Sequence, residues 1–192
     1  GLPSGPPAFV VMGRIVPEKG VDVAIAAMRD VPDAVLTVVG DGPEVPGLVA
    51  LADRLGVAGR VRFAGVVENT ALAPVLHAAD ALLVPSTYEE PFGIVAVEAA
   101  LAGLPSIVSR VGGLKDIVVN GETGLVVPPS DAGALAAAMR RLASDRAATA
   151  RMGEAARACA IARYGLEATT DAYVAIYERS LAARASPQPM IG

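Results

Sequence analysis

At 192 residues, with 53% hydrophobic and 19% charged side chains, the chain carries enough apolar material for one buried core and too little charge for a disordered segment. The formal charge of -4 excludes a broad basic surface of the kind that polyphosphate binding needs, so no nucleic-acid partner is expected and an anionic ligand must be held by a local site. Cys159 is the only cysteine, which excludes an internal disulfide and a cysteine-based zinc cluster and fits a reducing cytoplasm.

Gly1–Pro7 has no positive stretch followed by an apolar one, so it does not read as a signal peptide; a hinge remnant or cloning scar is the expectation. Mean hydropathy is positive at +0.50, yet charge interrupts every apolar run short of the ~18 residues of a membrane-spanning helix. Six short apolar, β-branched runs follow: Phe9–Met12, Val35–Val39, Val61–Ala64, Ala81–Val84, Ser106–Ser109 and Leu125–Val127. Near-continuous apolar runs of this kind suit strands buried on both faces. Helical patterns lie between them at Val21–Met28, Glu44–Leu55, Leu72–Ala78, Phe92–Ala102 and Leu114–Val119. The alternation predicts an α/β fold, a Rossmann-like parallel sheet of about six strands with helices on both faces. From Ala132 the pattern is helical alone, through Ala132–Leu142, Ala147–Arg163 and Glu167–Leu181. Residues 8–184 therefore read as one domain ending in an all-helical segment, and 185–192 as a flexible tail.

Sheets of this type bind ligands at the carboxyl ends of their strands, so the loops there carry the functional reading. After the first strand stands Gly13-Arg14-Ile15-Val16-Pro17-Glu18-Lys19-Gly20. Its glycine permits a tight turn, and Arg14 and Lys19 supply two cations suited to a diphosphate; spacing alone reads equally well as two solvated charges. Neither a G-x-G-x-x-G turn nor a G-x-x-x-x-G-K-[ST] loop is present, which removes most support for a dehydrogenase or a P-loop enzyme. Gly40-Asp41-Gly42-Pro43 reads as a turn.

The second site is Glu89-Glu90-Pro91-Phe92-Gly93-Ile94-Val95-Ala96-Val97-Glu98, after the fourth strand. Pro91 suits a first helical turn, which would leave the amides around Gly93, Ile94 and Val95 free at the positive end of a helix dipole. Gly93 has no side chain to obstruct a phosphate. Glu90 precedes the helix and Glu98 lies about two turns into it, ~12 Å along the axis at ~1.5 Å per residue. That separation fits two carboxylates gripping opposite ends of an elongated ligand. Glu98 also falls in an apolar stretch, where an unpaired buried carboxylate would be costly. The lone His77 is assigned no role, Cys159 reads as a small buried hydrophobe, and Gly112-Gly113 reads as a turn or as a point of ligand approach.

GRIVPEKG, VVGDGP, VRFAGVV, VPSTYEEPFGIVAVEAALAGLPSIVS, VGGLKDIV and NGETGLVVPP together resemble the C-terminal domain of the group 1, or family 4, retaining glycosyltransferases, from Ala8 to about Leu181. The resemblance implies the C-terminal, donor-binding half of a GT-B fold, with an N-terminal acceptor-binding domain lying outside this chain. It implies transfer of a hexosyl group from a nucleoside diphosphate sugar, UDP-, GDP- or ADP-linked, with retention and with neither cofactor nor metal. Arg14, Lys19 and Glu90 would be the catalytic set, the cations on the diphosphate and Glu90 on the sugar hydroxyls. Phe92, Gly93, Ile94 and Val95 would line the donor pocket, Glu98 would hold the ribose and Val67 would lie near the base. The implied location is the cytoplasm, with any membrane association supplied by the other domain. A non-catalytic nucleotide-sugar-binding module and a GT-B sugar-nucleotide epimerase remain alternatives.

Overall fold

The computed structural model describes residues 5–165, 170 and 173–179. Six parallel strands form one sheet: β1 (Ala8–Met12), β2 (Val35–Val39), β3 (Val61–Gly65), β4 (Ala81–Val84), β5 (Ser106–Ser109) and β6 (Gly124–Val127). Their order is β3-β2-β1-β4-β5-β6, the doubly wound order whose direction reverses at β1. The expected fold class is present. Crossovers run through α1 (Val21–Ala27), α2 (Val45–Arg54), α3 (Asn69–His77), α4 (Ile94–Leu101) and α5 (Leu114–Ile117), and α6 (Ala132–Ser144) and α7 (Arg146–Tyr164) follow the sheet.

Strand alternation explains why the runs are apolar throughout. Phe9 and Val11 of β1 and Ala81 and Leu83 of β4 enter a core beneath α1, α2 and α6. Val10, Met12, Leu82 and Val84 enter a second core beneath α3, α4 and α5 on the opposite face. Removing that much apolar surface from water is the main favourable term in folding. Asp131 and Asp145 cap α6 and α7, each accepting a 2.8 Å bond from the amide three residues on. On α7, Ala156 and Ala160 are small enough to pack closely against Ala100 of α4.

Three sequence expectations shift. α3 starts at Asn69, ahead of Leu72, and α5 stops at Ile117 after a single turn. Cys159 is half-buried rather than buried, because it sits beside the α7 stripe that meets α4. Of the helix expected at Glu167–Leu181, residues 170 and 173–179 are helical; the rest, and the tail at 185–192, lie outside the described residues. No helix among the described residues is long and apolar enough to cross a membrane.

Candidate donor-binding site

The loops after β1, β2 and β4 meet at the carboxyl edge of the strands, fastened by backbone bonds. The amides of Gly13 and Ile15 donate to the carbonyls of Val39 and Asp41 at 3.0 and 2.9 Å, joining the first loop to the second. The Thr87 amide donates to the Glu18 carbonyl at 2.9 Å, joining the first loop to the one after β4. Ile15, 1% exposed, anchors this first loop in the core, while Arg14 beside it is exposed. Arg14 makes no ion pair among the described residues.

Lys19 reaches across to the β4 loop. Its Nζ lies 2.7 Å from Glu90 Oε2, 3.4 Å from Tyr88 Oη and 5.3 Å from the centroid of the Tyr88 ring. The same Glu90 oxygen accepts a 3.2 Å bond from Ser86 Oγ, a fully buried hydroxyl. Burial pulls the Lys19 pKa down, but the bonds and charges of Glu90 and Tyr88 outweigh it and raise it above 10.5. The ammonium is therefore charged throughout the neutral range. Behind Glu90, the amide of Gly113 donates to its carbonyl at 2.8 Å, and the amide of Gly112 donates to Glu89 Oε2 at 2.7 Å. Gly112 has φ 47°, and a Cβ there would stand 2.0 Å from the Glu90 carbonyl oxygen, so only glycine lets the two loops touch. The Gly112-Gly113 turn thus supports the Glu90 loop.

Helix α4 begins at Ile94, later than Pro91 implied, because Gly93 adopts φ 93° and caps it. Glu98 consequently stands little more than one turn into the helix. The free amides at its start are those of Ile94 and Val95, since Ala96 donates to the Gly93 carbonyl at 2.9 Å. Gly93 is itself buried, and a Cβ there would collide with the Leu114 side chain. Packing and a left-handed backbone account for this glycine without a phosphate. Phe92, 46% exposed, sets its ring perpendicular to that of Tyr164 at the end of α7, with centroids 5.6 Å apart.

Glu98 is exposed, so the expected cost of burying it does not arise. Ile94, Glu98 and Leu101 form the solvent-facing stripe of an otherwise buried helix. Glu98 instead borders a cavity of about 350 Å³ shared with Arg14, Asp41, Val67, Leu72 and Val95. One edge of the sheet thus gathers Arg14, Val67, Val95 and Glu98 around this cavity, while the Lys19–Glu90 pair bridges the β1 and β4 loops outside its lining. Asp41 and Leu72 joined the cavity unforeseen. The Asp41 carboxylate does close the expected turn, accepting the Gly42 amide at 2.8 Å. Ser86 and Tyr88 were also unforeseen, although both lie inside the motif that contains Glu90. A larger cavity, about 520 Å³ between the α6–α7 corner and Glu122, lies at the opposite edge, away from these loops. Among the described residues, no three His, Cys, Asp or Glu side chains are grouped to hold a metal ion.

The family model for glycosyl transferases group 1 matches residues 1–158. The chain belongs to that family. It is 38% identical over 192 residues to a glycogen synthase of Mycobacterium tuberculosis, an alignment covering 98% of this chain and 46% of the relative. Among solved structures it resembles a sucrose-phosphate synthase from Thermosynechococcus elongatus, with 37% identity and a TM-score of 0.85 over 95% of this chain and 47% of that one. HepE of Anabaena, solved in complex with UDP-glucose, is 30% identical with a TM-score of 0.82, over 90% of this chain and 48% of that one. The chain spans about half the length of the relatives it matches.

Proposed function

We propose that this chain is the donor-binding domain of a retaining glycosyltransferase, which transfers a hexosyl group from a nucleoside diphosphate sugar to an acceptor held by an N-terminal domain. The observation that carries the reading is the convergence of Arg14, Lys19, the α4 amides and two carboxylates on the carboxyl edge of one doubly wound sheet. HepE binds UDP-glucose on the same fold, and a chain half the length of its relatives fits one of two domains.

In this reading Arg14 and Lys19 neutralise the diphosphate, helped by the Ile94 and Val95 amides at the positive end of α4. Charge builds on the diphosphate as its bond to the sugar breaks, so fixed cations placed there lower the barrier more than they tighten ground-state binding. The two cations take the part that a metal ion plays elsewhere, and metal-independent transfer follows. Glu90, with one oxygen tied to Lys19 and Ser86, offers the other to a sugar hydroxyl. Glu98 takes the ribose hydroxyls at the cavity rim, Val67 packs near the base, and Phe92 and Gly93 shape the pocket through their backbone. The cavity's apolar wall leaves UDP, GDP and ADP donors all admissible. A cytoplasmic setting fits the single unpaired Cys159.

The test is to supply the full-length enzyme with UDP-, GDP- and ADP-linked hexoses and follow the anomeric proton of the first-formed product. An axial donor giving an axial product supports the assignment. An inverted product, or no turnover of any nucleotide sugar, overturns it.

A further inference from the structure

We propose that Tyr88 is a positioning residue of the donor site, holding the Lys19 ammonium in place for the diphosphate while Ser86 fixes the orientation of Glu90. The inference rests on the donor-site reading above and assigns work to two residues outside its binding set.

A lysine ammonium on four flexible carbons is a poorly defined charge unless something restrains it. Here it is restrained from two sides. Glu90 Oε2 takes one N–H at 2.7 Å, and Tyr88 Oη accepts a second at 3.4 Å. With Nζ 3.4 Å from Oη and 5.3 Å from the ring centroid, the ammonium lies beyond the hydroxyl rather than over the face, so the hydroxyl makes the contact. The ammonium has three donors, which leaves one for a ligand oxygen without breaking either contact.

Tyr88 has no packing reason to be aromatic. It belongs to none of the three hydrophobic clusters and is half-buried between the exposed Thr87 and Glu89. The backbone nevertheless holds it opposite Lys19, because the Thr87 amide donates to the Glu18 carbonyl one residue before each partner. Ser86 completes the set from below. Its fully buried Oγ shares Oε2 with Lys19, so the carboxylate is clamped through one oxygen.

A pre-positioned ammonium spares the ligand the entropy of ordering a long side chain. Tyr88→Leu should therefore weaken diphosphate binding roughly three- to tenfold, the range for immobilising one flexible side chain. Calorimetric titration of the chain with UDP, GDP and ADP, and with uridine, guanosine and adenosine, reads this directly. For the nucleotide that binds, Tyr88→Leu should raise the Kd of the diphosphate and leave that of the nucleoside unchanged. Tyr88→Phe, which keeps the ring and removes only the hydroxyl, should weaken diphosphate binding about as much as Tyr88→Leu. In a Lys19→Ala background, Tyr88→Leu should add nothing, as expected when one residue acts through the other. Equal losses for nucleoside and diphosphate, no loss at all, or an undiminished loss without Lys19 would each overturn the proposal. If the parent chain binds none of the three diphosphates, the donor-site reading itself fails, an outcome distinct from parental binding that is insensitive to Tyr88.

Discussion

The two edges of the sheet each carry a carboxylate paired with a cation across the fold, and the two pairs do different work. At the amino edge, Asp80 Oδ2 accepts the Ala8 amide at 2.7 Å and Arg146 at 3.0 Å. At the carboxyl edge, Glu90 Oε2 accepts Lys19 at 2.7 Å and Ser86 at 3.2 Å. The Asp80 side chain is 3% exposed, against 12% for Glu90, and its cation is 19% exposed against 27% for Lys19. Asp80 ties the first residue of β1 and the first of α7 to the start of β4, so its partners belong to the framework. Both partners of Glu90 are side chains, and the pair lies among loops beside unpaired helix amides. The Glu90 pair is placed to meet a ligand among the loops, whereas the Asp80 pair ties backbone and helix to the sheet.

The largest effect separating the edges is expected from Asp80→Ala. Removing this buried carboxylate takes the acceptor from the Ala8 amide and a charge partner from Arg146, a loss of ~3 kcal/mol or more in unfolding free energy. Chemical denaturation should show that loss, while the fraction still folded binds nucleotide with parental affinity. Lys19→Ala and Arg14→Ala invert the pattern. Arg14 is exposed, so its loss should leave stability unchanged, and Lys19→Ala should cost less stability than Asp80→Ala because Lys19 and Glu90 form the more exposed pair. In both variants turnover of the full-length enzyme should fall by about 10²- to 10³-fold, equivalent to ~2.7 to 4 kcal/mol of transition-state stabilisation. Steady-state kinetics beside a melting curve checks both halves, and near-normal turnover in both variants would remove the diphosphate assignment.

Gly112→Ala should blur the comparison, because this glycine is framework that touches the site. A left-handed backbone costs an alanine ~1 to 2 kcal/mol, and the new methyl group would press on the Glu90 carbonyl. Stability and nucleotide affinity should fall together. The smallest effect is a pH dependence. The folded pKa of Lys19 is raised above 10.5, so the stability it contributes is complete below 10.5 and disappears as pH rises through the folded value. The stability difference between the parent and Lys19→Met should therefore be flat across the neutral range and shrink only in strong alkali.

The sheet was legible because burial on both faces writes itself into sequence as unbroken β-branched runs, and all six were found. The start of α4 was misread because Pro91 is a strong first-turn signal, and nothing in the sequence revealed that Gly93 adopts φ 93° and caps the helix instead. Glu98 was expected to be buried from its apolar neighbours, but α4 is inward-facing at Ala96, Val97, Ala99 and Ala100 and leaves one narrow stripe outside. The loops of the site were legible from motifs. The side-chain network within them was not, because Lys19 meets Tyr88 and Glu90 across about 70 residues of chain and no spacing rule encodes such contacts. The Asp80–Arg146 pair escaped notice for the same reason.

The central claim is that the carboxyl edge of this chain forms a complete donor site without forming a complete enzyme. Arg14, Lys19, the α4 amides and Glu98 all belong to one continuous fold, so binding needs no second domain. Transfer needs an acceptor held in place, an arrangement that supplies ~7 to 11 kcal/mol through proximity and orientation. The most direct test titrates the chain with UDP, GDP and ADP by calorimetry and assays consumption of the matching nucleotide sugars in parallel. The account predicts modest but measurable binding of at least one diphosphate and no transfer. Absence of binding by all three would contradict the site, and robust transfer by this chain alone would contradict the division of labour between two domains.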